Sequence, residues 1–213
     1  KSRDKDYARL LGERYKHKLR SIFIASPGHA LIEFDYIGAE LAMLAFVSGD
    51  DVMIDHTSRS NLPESNPKHY DIHSNIAVRV FRLGCAPLKS VMEKAKYGHF
   101  RTLAKNVVFG LIYGRSAKAI AMQARETRRL DEPEFEADDA QKVIDAFYDT
   151  YKKTRPFLEA CEARAENQRW LKHSFGRSRR FPASRDRSIL AEFGRQAKNF
   201  PIQGGVASAV NRG

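Results

Sequence analysis

The chain has 213 residues, 42% hydrophobic and 30% charged, with a formal net charge of +11. That composition excludes a disordered or fibrous chain and leaves enough apolar residues to bury a core in one large domain or two small ones. No apolar run approaches the ~18 residues of a membrane span, the opening residues do not read as a secretory leader, and the positive excess favours a polyanionic partner, nucleic acid before an anionic membrane.

Cys85 and Cys161 form no CxxC pair, which excludes a disulfide framework or zinc knuckle and fits a reducing cytoplasm. His69 and His73 stand one helical turn apart, but no further Cys or His is spaced to complete a zinc site.

Lys1 to Arg20 is crowded with cations and poor in large apolar residues; it reads as a solvated helix or as an arm along a phosphate backbone. Ser21 to Ala25 fits a short strand or a helical turn, and Pro27-Gly28 signals a turn. Ala30 to Phe34 then reads as a buried strand that ends on Asp35. A helix from Ile37 to Val47 closes at Gly49. Asp35 at such a junction is either a helix N-cap or a metal-binding carboxylate on a rigid strand end. Glu40, on the first turn, is a favourable charge near a helix N-terminus or part of the same pocket.

Thr57 to His69 is polar, holds two prolines and reads as an exposed loop. Asp71 is placed to cap a helix from Ile72 to about Phe81. His73 then lies exposed near a helix N-terminus, either as a surface residue without a role or, because backbone donors there favour an anion, as a phosphate contact. Gly84 to Pro87 breaks the chain, and a further helix is expected over 91–114.

The most informative stretch lies inside that helix. Arg101, Lys105, Phe109 and Tyr113 recur at four-residue spacing, so each step drifts only ~40° and the four share one side. Leu103, Val107 and Leu111 take the opposite, apolar side. Gly114 is placed as a left-handed cap. Two cations followed by two rings have the order of a nucleoside triphosphate, phosphates first and base second. The same pattern also suits an ordinary amphipathic helix, and the two readings stay open at this point.

Ala117 to Ala124 continues as helix, and Glu126 to Asp139 is an acidic connector. Ala140 to about Arg169 reads as one long helix or two joined at Pro156. Trp170 to Phe181 reads as a turn or hairpin that concentrates Arg177, Arg179 and Arg180, a solvated basic loop or a nucleic-acid contact. Ile189 to Arg195 is helical in pattern. Asn199 to Gly205 presents two amides around Pro201 before a small-residue helix.

Taken together, these stretches resemble the family A DNA polymerases, the group of bacterial DNA polymerase I and many phage replicases. EFDYIGAELAMLA, Glu33 to Ala45, resembles motif A, and YDIH, Tyr70 to His73, resembles the family's Asp-Ile-His segment. FRTLAKNVVFGLIYG, Phe100 to Gly114, resembles motif B. FGRSRRFP resembles its arginine hairpin and AKNFPIQGG its Ala-x-Asn-x-Pro-x-Gln-Gly stretch. All occur in the family's order.

The resemblance implies a predominantly helical α+β part of a right-hand polymerase: palm with motif A over 1–55, fingers over 56–169, and a return to the palm over 170–213. It implies nucleotidyl transfer from dNTP to a primer 3′-hydroxyl, with primer-template DNA as partner and two Mg²⁺ ions as cofactors. Asp35 and the carbonyl of Tyr36 would bind metal. Arg101, Lys105 and His73 would hold the triphosphate, with Lys105 also protonating the leaving pyrophosphate. Phe109 would lie against sugar and base, Tyr113 near the templating position, and Glu40 beneath C2′. Phe109, where some relatives carry Tyr, implies discrimination against nucleotides lacking a 3′-hydroxyl. Arg177, Arg179, Arg195, Asn199 and Gln203 would touch primer-template.

Ile37, Gly38, Ala39 and Ala42 depart from the commoner motif A, DYSQIELR. The family's His-Asp-Glu motif C, with the second metal-binding carboxylate, does not occur in these residues, nor does the thumb. The expectation is therefore a fragment with little turnover alone, completed by the rest of a polymerase in the same or another chain. The alternative is a noncatalytic nucleic-acid-binding module derived from one.

Overall fold

The computed structural model describes residues 22–32, 35–127 and 133–211. The basic arm over 1–20, the end of the expected strand at 33–34 and part of the acidic connector over 128–132 lie outside the described residues. The chain divides after Tyr36 into one unit over Lys1–Tyr36 and a second over Ile37–Gly213.

In the first unit the Pro27-Gly28 turn forms: the His29 N–H donates to the Ser26 carbonyl at 2.9 Å, and Gly28 takes φ +79. Over its described residues, 30–32, the buried strand expected from Ala30 is not formed. Residues 30–32 have no ladder partner, and Leu31 and Ile32 are exposed by 66% and 73%. Apolar residues alone do not make a strand; its backbone groups need a neighbouring strand, and the described residues place none beside this one.

The second unit is mainly helical. Helix α1, Ala39–Ser48, runs between two left-handed glycines, Gly38 at φ 64 and Gly49 at φ 62, and has no side-chain cap at its start. Asp35 is therefore not its N-cap. Helix α2, Asp51–Ser60, occupies the first part of the expected Thr57 to His69 loop. Asp50 starts it by accepting from the Met53 N–H at 3.0 Å, and the Thr57, Ser58 and Ser60 hydroxyls donate to carbonyls of the preceding turn, each at 2.8 Å. Polar residues that satisfy themselves on the helix left the segment looking like a loop. Asp50 also accepts from the Lys153 N–H at 2.9 Å, which ties α2 to a segment 103 residues away.

Helix α3, Ile72–Phe81, begins at Asp71 as expected. The helix expected over 91–114 is two helices, α4, Lys89–Lys94, and α5, Gly98–Ile112. Lys96 turns left-handed at φ 61 between them, and the Tyr97 N–H returns to the Met92 carbonyl at 2.7 Å. The break folds α4 back against α5 and leaves Met92 fully buried.

Helices α6, Ala117–Thr127, and α7, Ala137–Thr150, follow. The next break falls at Tyr151 to Lys153 rather than at Pro156, which is accommodated in the first turn of α8, Thr154–Asn167; a proline there sacrifices no intrahelical bond. Strands β1, Trp170–Lys172, and β2, Ser178–Arg180, form the expected antiparallel hairpin, with Leu171 opposite Arg179.

Helix α9, Arg187–Val210, continues through Pro201 without stopping. The interruption expected there is overridden by burial. Pro201 and Ile202 are buried, and at Gly205 a Cβ would come within 2.7 Å of the Met43 sulfur, so the missing side chain lets α9 lie directly on α1. A continuous helix keeps both contacts, which offsets the one hydrogen bond Pro201 cannot donate.

Helices α1, α2, α3, α5 and α7 share the main core, where Leu44, Met53, Ile112, Phe147 and Tyr151 are fully buried. A second cluster of Cys161, Ala165, Leu171, Phe181 and Ala197 joins α8, the hairpin and α9. The architecture is the predominantly helical α+β arrangement that the sequence implied.

Candidate functional site

Helix α5 presents its two faces much as its spacing predicts. Ala104, Val107, Val108, Gly110, Leu111 and Ile112 are buried, a wider stripe than the three residues expected, and Leu103 is only half-buried. The stripe is wide because the helix is covered by α3, α4, α6 and α7. At Gly110 a Cβ would meet Ile120 of α6 at 2.7 Å, so glycine sets that close approach.

On the other face Arg101, Phe109 and Tyr113 are half-buried and Lys105 is exposed. The Lys105 Nζ stands 5.7 Å from the Phe109 ring centroid, within the range of cation–π attraction. Arg101 Nε donates to Asp71 Oδ2 at 2.7 Å. Asp71 caps α3 with its other oxygen, accepting from the His73 N–H at 3.0 Å and the Ser74 N–H at 3.2 Å, and Oδ2 also accepts from the Ser74 hydroxyl at 3.0 Å. Burial pushes the Asp71 carboxyl up, but the Arg101 hydrogen bond and charge and the Ser74 N–H outweigh it and hold it below the usual range.

His73 is where the structure departs most from expectation. It is 8% exposed, not a surface residue, because α3 packs on α5 and sets its ring 6.0 Å from Phe109. Its Nδ1 is buried without a partner. Burial, opposed by Asp71 and reinforced by Arg101 and Lys105, pushes its pKa down to about 4, so at neutral pH it is an uncharged hydrogen-bonding group beside two cations.

The sign of the stability effect follows. The unfolded histidine titrates near its ordinary value of about 6.5, so between there and about 4 the unfolded chain binds the extra proton and the folded chain does not. Stability from this residue is whole above pH 6.5 and falls as the pH drops toward 4, by about 3 kcal/mol in all. Chemical unfolding at pH 7.5 and 4.5 should show His73→Gln losing less stability than the parent over that interval. An unchanged difference would refute the assignment. His56 and His173, both lowered chiefly by burial, add a background in the same direction.

Tyr113 ends α5, and Gly114 follows at φ +69. The Tyr113 hydroxyl accepts from Gln203 Nε2 of α9 at 2.9 Å, and a Cβ on Gly114 would lie 3.1 Å from the Arg195 Cα. The end of α5 and the middle of α9 are thus in direct contact. Arg195 itself points to solvent and pairs with Glu192 at 3.0 Å, an exposed pair of little energetic weight. Asn199 has its Oδ1 buried and unpartnered. Arg179 of the hairpin donates to Gln196 of α9 at 2.6 Å, and Arg177 is exposed in the turn.

The structure therefore gathers His73, Arg101, Lys105, Phe109, Tyr113 and Gln203 along α5, with Arg195 at its end. Arg177 and Arg179 reach the group only through the hairpin's attachment to α9. Glu40 is half-buried on the first turn of α1. Asp35 and Tyr36 belong to the first unit and are exposed there. Sequence reasoning missed Asp71 as Arg101's partner; its only local signal is that of a helix cap.

Among the described residues no three His, Cys, Asp or Glu side chains come together to hold a metal ion. Among the described residues, too, no helix is long and apolar enough to cross a membrane.

The family model for DNA polymerase family A matches residues 11–212. The chain is 31% identical over 202 residues to a thermostable DNA polymerase I of Thermus filiformis, covering 94% of this chain and 21% of that one. It is 28% identical over 201 residues to a DNA polymerase of Escherichia phage T5, covering 90% and 23%. The fold matches the POL domain of Pol1 from M. smegmatis, solved with DNA primer-template and dNTP, at a TM-score of 0.59 and 23% identity over 83% of this chain and 27% of that one. The chain thus spans less than a quarter of these two sequence relatives' length.

Proposed function

The chain belongs to DNA polymerase family A, and on that premise we propose that it supplies the nucleotide-binding wall and part of the primer-template surface of a template-directed DNA polymerase. The observation that carries this reading is the shared face of Arg101, Lys105, Phe109 and Tyr113 on α5, with neutral His73 against Phe109. Arg101 and Lys105 bind the triphosphate oxygens of an incoming dNTP. The ring of Phe109 lies against its sugar and base, and Tyr113 stands near the templating position. Glu40 lies beneath C2′ and excludes a ribose hydroxyl. Arg177, Arg179, Arg195, Asn199 and Gln203 touch primer and template.

In the reaction the primer 3′-hydroxyl gives its proton to water, its oxygen bonds to the α-phosphorus, and the bond from that phosphorus to the bridging oxygen of pyrophosphate breaks. The Lys105 ammonium gives its proton to that leaving oxygen. Asp35 and the Tyr36 carbonyl would supply hard oxygen ligands to magnesium, which when bound would stabilise the charge developing on the phosphates, and a second carboxylate would have to come from the rest of the polymerase. By themselves these residues have little or no turnover.

Primer extension tests the reading. The 213 residues alone should not extend a primer, and joined to the remaining polymerase sequence they should. Asp35→Ala in the joined protein should then abolish extension. Near-parental extension by Asp35→Ala overturns its assignment, and a joined protein that binds primer-template without extending it favours the noncatalytic module.

A further inference from the structure

Arg101 does not meet a nucleotide as a free side chain. Its Nε is held by Asp71 Oδ2 at 2.7 Å, in an ion pair that leaves the arginine side chain 21% exposed and the aspartate side chain 9% exposed. The same carboxylate accepts from the His73 and Ser74 backbone N–H groups and the Ser74 hydroxyl. One buried anion therefore fixes the first turn of α3, which carries His73, and the guanidinium of α5, 30 residues further along the chain.

A guanidinium held through Nε still has both terminal nitrogens as paired donors, the geometry that matches two phosphate oxygens. Without such an anchor the side chain must lose its rotamer freedom each time an anion binds. Both Asp71 oxygens are already committed to protein donors, and its charge is balanced by Arg101 and by the start of α3. Its field on a bound anion is accordingly small beside its effect on where Arg101 points.

We propose that Asp71 is a positioning residue for the nucleotide's outer phosphates, acting through Arg101 and, by capping α3, through the placement of His73. This rests on the proposal that Arg101 binds the triphosphate, and the test separates the two. The informative variant is Asp71→Asn, because asparagine caps a helix about as well as aspartate but cannot pair with Arg101 as an anion. A fluorescent dNTP bound to the protein is displaced with inorganic tripolyphosphate and, separately, with a deoxynucleoside monophosphate.

Asp71→Asn should raise the tripolyphosphate Kd about tenfold and leave the monophosphate Kd within about twofold, because only the outer phosphates lose a contact. Placed on an Arg101→Met background it should add nothing further, the signature of action through Arg101. Breaking the ion pair should lower the chemical unfolding midpoint in Asp71→Asn and in Arg101→Met alike, while the surviving cap keeps the start of α3 in place. An unchanged or tighter tripolyphosphate Kd, a loss equal for both competitors, or a full additional loss in the double variant would each overturn the proposal. If Arg101→Met alone leaves tripolyphosphate binding intact, the underlying triphosphate assignment fails instead.

Discussion

On the function proposed above, Lys105→Ala is expected to slow primer extension by the joined protein about 100- to 1000-fold, the usual cost of losing one charged donor at a site of developing charge. Lys105 is exposed and leans over Phe109 at 5.7 Å, so its removal exposes no cavity, and alanine suits an exposed helical position. The unfolding midpoint should therefore move little while the rate collapses. Lys105→Arg separates the two parts assigned to this side chain. Arginine keeps the charge but does not release a proton near neutral pH, so that variant should bind dNTP with a KM close to the parent's and have a kcat nearly as low as the alanine variant's. A kcat equal to the parent's in Lys105→Arg would remove Lys105 as the proton donor, and a parental rate in Lys105→Ala would remove it from the site.

Gly114→Val should destabilise the chain by about 2–4 kcal/mol, combining the cost of a β-branched residue in the left-handed region with that of overpacking. Gly114 sits at φ +69, and a Cβ there would be 3.1 Å from both the Cα and Cγ of Arg195. Its N–H closes α5 on the Leu111 carbonyl, and the Arg115 N–H closes on the Gly110 carbonyl, both at 2.9 Å. Because the obstructing group is partly backbone, α5 and α9 must move apart, and the Tyr113–Gln203 hydrogen bond should be lost with them. Gly114→Asn distinguishes the causes: asparagine tolerates this φ, so a loss as large as valine's in urea unfolding would put the crowding against Arg195, not the backbone conformation, in control. Parental stability in Gly114→Val would contradict both.

The parts of the site that could be read from sequence are those set within a few turns of chain. The four-residue spacing of Arg101, Lys105, Phe109 and Tyr113 fixes a shared face wherever the helix is placed. Asp71 ahead of Ile72, Gly114 after Tyr113 and the arginine-bearing hairpin are likewise local signals, and each appears in the structure. The errors occurred where local chemistry is ambiguous or outvoted. Thr57 to Ser60 is polar yet helical because its hydroxyls bond back along the helix. Pro201 stays in α9 because burial against α1 outweighs one missing donor.

The pattern of residues by itself determined the family resemblance, the helical class and the order of cations and rings along α5, because each is written in identity and short spacing. Only the tertiary structure decided that His73 is buried and uncharged, that Asp71 holds Arg101 across 30 residues and that Gln203 meets Tyr113 across 90. Those features depend on which helices pack together, and the free energy of that packing is shared over the whole core and cannot be assigned to any one stretch of sequence.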